Sequence, residues 1–240
     1  MSTGFGRPAL SADHKFSRFI ECIPVPHAFS TMRAGNMSLN WAKSPAEEQE
    51  VMENLGRLFV FMNLYNKKRV HMKPSHSPDV VFVSEINMAE VIAADALIAF
   101  SPDVFLTMCP ADCLPIIITS KKAGFVALVH GSKKCLQEHR LLQKVALSLE
   151  MCYEQDPNDI LVAMGPGIRT CHYNADLFRS AEEQLTCHAV NIPLANIFHA
   201  EGCTYCSKFP DTEDPMYFSH RRAEVTGEKE GRLIAFVTRP

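Results

Sequence analysis

Five apolar runs crowd into the stretch from Val80 to Val129, and they constrain the fold more than any other feature of this 240-residue chain. Val80–Val83 is apolar and rich in β-branched residues, as a buried strand requires. Ala96–Phe100, Val104–Met108, Leu114–Thr119 and Phe125–Val129 repeat the pattern, and Ser120–Gly124 between the last two is polar and ends in glycine, as a connecting turn would. Arg69–Met72 reads as a shorter strand closed off by Pro74. Helical periods flank this region. Ser44-Pro45-Ala46-Glu47 has the residues of a helix start, and Val51, Leu55, Leu58, Phe59 and Met62 follow at helical spacing. After His130 the period changes again: Leu141, Val145, Leu149 and Cys152 share one helical face, with Leu142 and Ala146 beside them. Ile160–Met164 is a further buried strand ended by Gly165-Pro166-Gly167, a helix is expected around Ala175–Leu185, and Leu233–Val237 reads as a final strand. The mixture predicts one α/β domain, an α+β sandwich with a mixed sheet and flanking helices.

Composition excludes several classes of function. With 47% hydrophobic and 21% charged residues and a net charge of −3, the chain has the make-up of a soluble globular protein. Its basic residues are dispersed, which disfavours nucleic acid or an anionic membrane as partner. No apolar run approaches the ~18–20 residues of a membrane span. The first residues, interrupted by Asp13, His14 and Lys15, lack the apolar core of a secretory signal, so cytoplasm is the expected compartment. There, nine cysteines suggest buried thiols, metal ligands or a nucleophile in preference to a disulfide framework.

The residues best placed for chemistry stand at strand ends. Cys113 lies in Cys109-Pro110-Ala111-Asp112-Cys113-Leu114-Pro115, a polar interruption between two apolar runs; His130 ends the next strand, and His71 follows Val70, with His76 five positions on. Two imidazoles and a thiolate suit Zn²⁺ and leave a fourth position for water. The same residues also permit a Cys113 thiolate activated by a histidine, or simply a buried cysteine and two hydrogen-bonded histidines. Spacing leaves these readings open.

A resemblance narrows them. Ala94-Asp95-Ala96-Leu97-Ile98, then Ala111-Asp112-Cys113-Leu114-Pro115, then a strand ending in His130, resemble the core signature of the YfiH-like, laccase-domain family. Phe29-Ser30-Thr31 with Gly35 and Ser38-Leu39-Asn40 resembles its N-terminal segment, and Glu53-Asn54 its early helix. Gly165-Pro166-Gly167-Ile168 with Cys171 and Tyr173, Cys203-Thr204, and Phe218-Ser219-His220-Arg221-Arg222 resemble later blocks. The resemblance covers all but roughly the first twenty residues, so 1–20 is expected to be an N-terminal extension and 21–240 the family domain. It implies metal ligands at His71, Cys113 and His130. His76 remains an alternative to His71, because Arg69 and Met72 replace the flanking residues of the family's Gln-Val-His-Gly block. It implies a purine nucleoside phosphorylase with adenosine deaminase side activity, using zinc and a small-molecule substrate; an older description implies a copper-dependent polyphenol oxidase. No His-x-His pair of the kind a multicopper centre needs occurs in the chain.

Further roles are expectations. Asp112, beside a ligand, is a candidate proton shuttle, its alternative being a carboxylate bonded to a loop amide. Ser132 is expected to cap a helix after His130 and favour an anion there, with Lys133 and Lys134 in its first turn. Arg33, Lys134 and Arg221 are candidate phosphate or substrate contacts, with solvated surface cations as the alternative. The family's His-Ala-Gly-Trp-Arg-Gly block is here His130-Gly131-Ser132-Lys133-Lys134-Cys135, which removes an arginine fork and an aromatic wall. That loss suggests a changed substrate, a reduced activity, or a metal-binding protein acting through a partner. Cys203-x-x-Cys206 has zinc-ribbon spacing, but no second such pair follows it, so a four-ligand site is not expected. Cys109 is a candidate redox partner of Cys113, or a buried thiol.

Overall fold

The computed structural model describes residues 9–10, 15–18, 22–84 and 90–240. In chain order the elements are β1 (Ala9–Leu10), β2 (Phe16–Arg18), β3 (His27–Ser30), α1 (Pro45–Phe61), β4 (Lys68–Lys73), β5 (Val80–Val83), β6 (Val91–Ala93), β7 (Ala96–Ala99), β8 (Val104–Met108), β9 (Leu114–Ser120) and β10 (Val126–Gly131). Then come α2 (Leu141–Tyr153), β11 (Ile160–Met164), α3 (Leu177–Thr186), β12 (Ile197–His199), α4 (His220–Thr226) and β13 (Ala235–Thr238). The strands form two mixed sheets, where the sequence suggested one. The first has the order β1-β2-β3-β13-β8-β4-β6, the second β12-β11-β9-β10-β7-β5. β1 and β2, in the segment read as an extension, pair onto the edge of the first sheet through β3.

Period-two alternation shows why these runs are apolar throughout. On β9 and β10, Ile117, Val126 and Leu128 face the other sheet, where they meet Leu106, Met108, Ala235 and Val237. Their neighbours Ile116, Ile118, Ala127 and Val129 face outward against Leu141, Leu142 and Val145 of α2 and Phe178 and Ala181 of α3. The first sheet is covered in turn by α1, whose Val51, Leu55 and Leu58 pack on Ala28, Phe105 and Phe236. The result is a four-layer sandwich, helix on sheet on sheet on helices. Truncating a fully buried leucine at its centre, such as Leu128, would cost about 2–5 kcal/mol.

Local signals hold where they were strongest. Ser44 Oγ accepts from Glu47 N at 3.3 Å, capping α1 behind Pro45. The last strand starts at Ala235, two residues later than the apolar pattern suggests, because Leu233 N is taken by Pro110 O at 3.1 Å, outside the ladder. No helix among the described residues is long and apolar enough to cross a membrane.

Candidate functional site

Three strand ends meet where the chain passes from the first sheet to the second. β8 and β4 are parallel neighbours, with His71 opposite Thr107. The segment 109–113 leaves β8 and enters β9, whose partner β10 ends at His130 and Gly131. A side chain on Gly131 would come within 2.8 Å of Leu114 O, so glycine lets the β10 end lie flush against the start of β9.

A cavity of about 480 Å³ opens here, lined by His71, His76, Cys113 and His130 together with Trp41, Lys73, His220 and Arg232. His130 is its fixed point. Asp95, fully buried, takes His130 Nδ1 on Oδ1 at 2.7 Å, and its backbone carbonyl accepts His130 N at 2.8 Å. Backbone and hydroxyl groups of Ser75 and Ser77 donate to Asp95 Oδ2, and His76 N donates to Oδ1. Burial alone would raise the Asp95 pKa, but hydrogen bonds from His130, Ser77 and Ser75 hold it far below the usual carboxylate range. Burial likewise opposes charge on His130, yet its interactions with the adjoining Cys113 and its bond to Asp95 raise its pKa well above that of an ordinary histidine. With Nδ1 spent on Asp95, Nε2 is the other ring nitrogen, and it must give up its proton before it can hold a metal.

His71 is the opposite case. Its Nδ1 lies 3.0 Å from Thr107 Oγ1, and burial, helped by the Arg69 guanidinium, lowers its pKa to about 4. It is therefore neutral, the form a metal takes. Arg69 Nη2, 3.3 Å from the same Nδ1, can only donate to it, so a metal on Nε2 would need the ring proton moved to Nδ1 and this contact given up. Burial also leads the lowering of the His76 pKa, with His130, 5.1 Å away between ring centroids, adding to it. Two imidazoles and a thiol on one cavity wall fit a metal by donor type. So does a second grouping, because atoms of His76, His130 and Cys135 lie within 4.8 Å of one another. Cys135, however, already donates to Asp95 Oδ1 at 3.4 Å, on the oxygen that holds His130.

The remaining expected residues fall elsewhere. Asp112 sits at φ +78, a left-handed conformation costly for a side-chain-bearing residue. Thr204 Oγ1 donates to its Oδ1 at 2.7 Å and Arg221 N to its Oδ2 at 2.8 Å, while Ile168 N donates to its carbonyl. These bonds hold the turn that aims Cys113. Arg33 pairs with Asp211 at 2.8 Å and covers the Phe209 ring; the Arg221 guanidinium lies over Tyr173. Lys134 is exposed, at the start of a single π-turn, Lys134–Glu138, in place of the expected longer helix. Ser132 Oγ does accept from Cys135 N, at 3.2 Å. Cys109 donates to Met37 O at 3.3 Å, and burial pushes its pKa up to about 12, which makes it a poor thiolate.

Five site residues escaped the sequence reading. Trp41, the single tryptophan, supplies an aromatic wall from a different segment than the missing family residue, and Arg232 stacks on it at 3.5 Å. Asp95 stood in a quoted motif without a role. Cys171 and His172 meet Cys203 and Cys206, all four offering ligand atoms within 4.8 Å of one another. The expectation that Cys203-x-x-Cys206 lacks partners is thus corrected: the second pair precedes it in sequence and is a Cys-His dipeptide.

A family model described as "Multi-copper polyphenol oxidoreductase laccase" matches residues 27–182. The chain is 27% identical to the purine nucleoside phosphorylase YfiH of Shigella flexneri over 89% of its own length and 95% of that protein. It is 25% identical to the purine nucleoside phosphorylase YlmD of Geobacillus stearothermophilus, over 84% of each. The crystal structure of that YlmD superposes with a TM-score of 0.81 at 22% identity, covering 97% of this chain and 98% of the other. The hypothetical protein YfiH of Bacillus licheniformis superposes with a TM-score of 0.83 at 21% identity, covering 97% and 99%.

Proposed function

The chain belongs to this laccase-domain family, and from that premise we propose that it is a zinc enzyme of purine nucleosides that splits the base from the sugar with phosphate. The observation that carries the reading is that His71, Cys113 and His130 line one cavity that also presents Trp41, Lys73 and Arg232, although their ligand atoms do not all come within 4.8 Å of one another as those of His76, His130 and Cys135 do. The relatives named purine nucleoside phosphorylase support it. His71, Cys113 and His130 would hold the metal, with His76 in reserve. Bound there, zinc supplies Lewis acidity, which polarises an electrophile or lowers the pKa of a water.

The chain's own groups do the rest. Asp95 keeps His130 in one tautomer and one orientation, and Asp112, anchored by Thr204 and the Arg221 amide, positions Cys113. Arg232 and Lys73 put positive charge on the cavity wall where a phosphate would enter. Trp41 offers a face for the base. Arg33, Lys134 and Arg221, absent from the cavity lining, would act on substrate only at its mouth or not at all.

The test is phosphate-dependent release of free base from adenosine, inosine and guanosine by metal-loaded protein, compared with Cys113→Ala. Ammonia release from adenosine without phosphate would replace phosphorolysis by deamination, and no turnover on any of the three would sink both. A copper-dependent phenol oxidase is the rival enzyme, disfavoured because the cavity brings together fewer donors than a multicopper centre needs; rapid phenol oxidation by copper-loaded protein would establish it instead. One observation favours a non-catalytic metal-binding protein: Cys135 replaces a family glycine and binds the Asp95 oxygen that orients His130. Cys135→Gly resolves this, since recovery of nucleoside turnover in the variant alone would mark the natural chain as catalytically lapsed.

A further inference from the structure

We propose that Cys171, His172, Cys203 and Cys206 form a second, structural zinc site, distinct from the cavity. Cys171 Sγ lies 3.6 Å from Cys203 Sγ and 3.8 Å from Cys206 Sγ. Zn–S bonds of about 2.3 Å at tetrahedral angles place sulfurs about 3.8 Å apart, whereas a disulfide needs about 2.0 Å. The side chains thus already stand at the separation a tetrahedral ion imposes, with the four sulfur and nitrogen atoms within 4.8 Å of one another. His172 is held by its stack on Tyr205, 3.8 Å between centroids and 11° from parallel.

The backbone is shaped to the same end. Arg169 N donates to Cys203 Sγ at 3.4 Å, and the amides of Tyr205 and Cys206 also donate to it. Amides turned toward a sulfur from within a Cys-x-x-Cys turn stabilise a thiolate more than a thiol. The Arg169 guanidinium, bonded to Gly202 O and Ala200 O, adds a fixed positive charge beside the cluster. Three thiolates and a neutral imidazole carry a charge of about −3, which a divalent cation reduces to about −1. A soft, four-donor set with no position left over selects zinc and makes the site closed, in contrast to the cavity.

Its place in the fold gives it a task. The ion would tie the loop after β11, carrying Cys171 and His172, to the loop after β12, carrying Cys203 and Cys206. These loops already touch through the Gly167–Cys203 bridge and Thr204 N donating to Gly167 O. Thr204 is also the residue whose hydroxyl holds Asp112. The closed site therefore braces the turn that aims Cys113.

The test uses the full chain, purified under reducing conditions, with Cys113→Ala as the background so that metal in the cavity does not contribute. One zinc per chain is expected to remain in Cys113→Ala and to vanish in Cys113→Ala/Cys171→Ser and Cys113→Ala/Cys206→Ser. Cobalt in place of zinc is expected to give the visible bands of a tetrahedral ion together with a thiolate charge-transfer band that is lost in both double variants. Should the double variants not fold, alkylation of the Cys113→Ala protein decides: Cys171 and Cys206 are exposed, as is Cys22. They are expected to resist iodoacetamide until a chelator is added, while Cys22 reacts at once. Absence of zinc in Cys113→Ala, retention of zinc in both double variants, iron or copper bound in its place, or alkylation of Cys171 and Cys206 as fast as Cys22 without chelator would each overturn the proposal. None of these results bears on whether the cavity turns over nucleosides.

Discussion

The two clusters that offer metal ligands are built on opposite plans. In the cavity, imidazoles outnumber thiols, strand ends supply them, and the fixed point is a carboxylate: Asp95 gathers seven hydrogen-bond contacts, among them the one that sets the orientation of His130. At the surface, thiols outnumber imidazoles, two loops supply them, and backbone amides do the orienting. The first plan opens onto a cavity shared with Trp41, Lys73 and Arg232; the second closes on itself. Strands hold a ligand rigidly without help from the ion, as a reacting centre requires, whereas loops gain their rigidity from the ion.

The largest test of that contrast is Asp95→Ala. Leaving His130 buried without its partner is expected to cost about 3–5 kcal/mol, seen in denaturant unfolding, and to lower metal affinity in the cavity by roughly 10–100-fold. An unchanged metal affinity would show that His130 is oriented by the strand alone. Next, chelation of the Cys113→Ala protein is expected to lower Tm by roughly 5–10 °C, equivalent to about 2–3 kcal/mol in a domain of this size. The same chelation of Cys206→Ser, which strips only the cavity ion, should lower Tm by less. An equal drop in both would erase the distinction between bracing and reacting sites.

Thr204→Val joins the two regions. It removes the hydroxyl that holds Asp112 and is expected to cost about 1–2 kcal/mol of stability. Turnover should fall disproportionately, because the left-handed turn before Cys113 loses its anchor, and nucleoside kinetics beside thermal melts would show it. The smallest effect is a pH dependence of the metal-free chain. The unfolded chain protonates His71 near its ordinary value of 6.5, the folded one only at about 4. Protons therefore favour the unfolded form once pH falls below 6.5, and the loss is complete only near pH 4. His71 should contribute about 1 kcal/mol of the loss over the first pH unit below 6.5, beside a like share from His27, whose pKa burial also lowers to about 4, and His71→Asn should remove the His71 share alone.

How far these features can be read from the chain depends on their range. The Ser44 cap, the α1 face and the runs at Val80–Val83, Val104–Met108 and Ile160–Met164 were legible because caps and apolar periods are written within a few residues. The short strands β3, β6 and β12 carry too little pattern to stand out, and they exist because neighbours in the sheets pair with them. The cavity was half legible. His71, Cys113 and His130 sit at the ends of recognisable strands, but Trp41 and Arg232 reach it from distant segments that no local period connects to it.

By itself, then, the sequence determined the strand-rich core, its covering helices and the family to which the chain belongs. Only the tertiary structure decided that there are two sheets, that Asp95 rather than Asp112 is the carboxylate bonded to His130, and that Cys171 and His172 complete the Cys203-x-x-Cys206 pair. The reason is physical. Hydrophobic period is a property of neighbouring residues, whereas convergence of polar side chains is set by which strand ends and loops the packed sheets bring together.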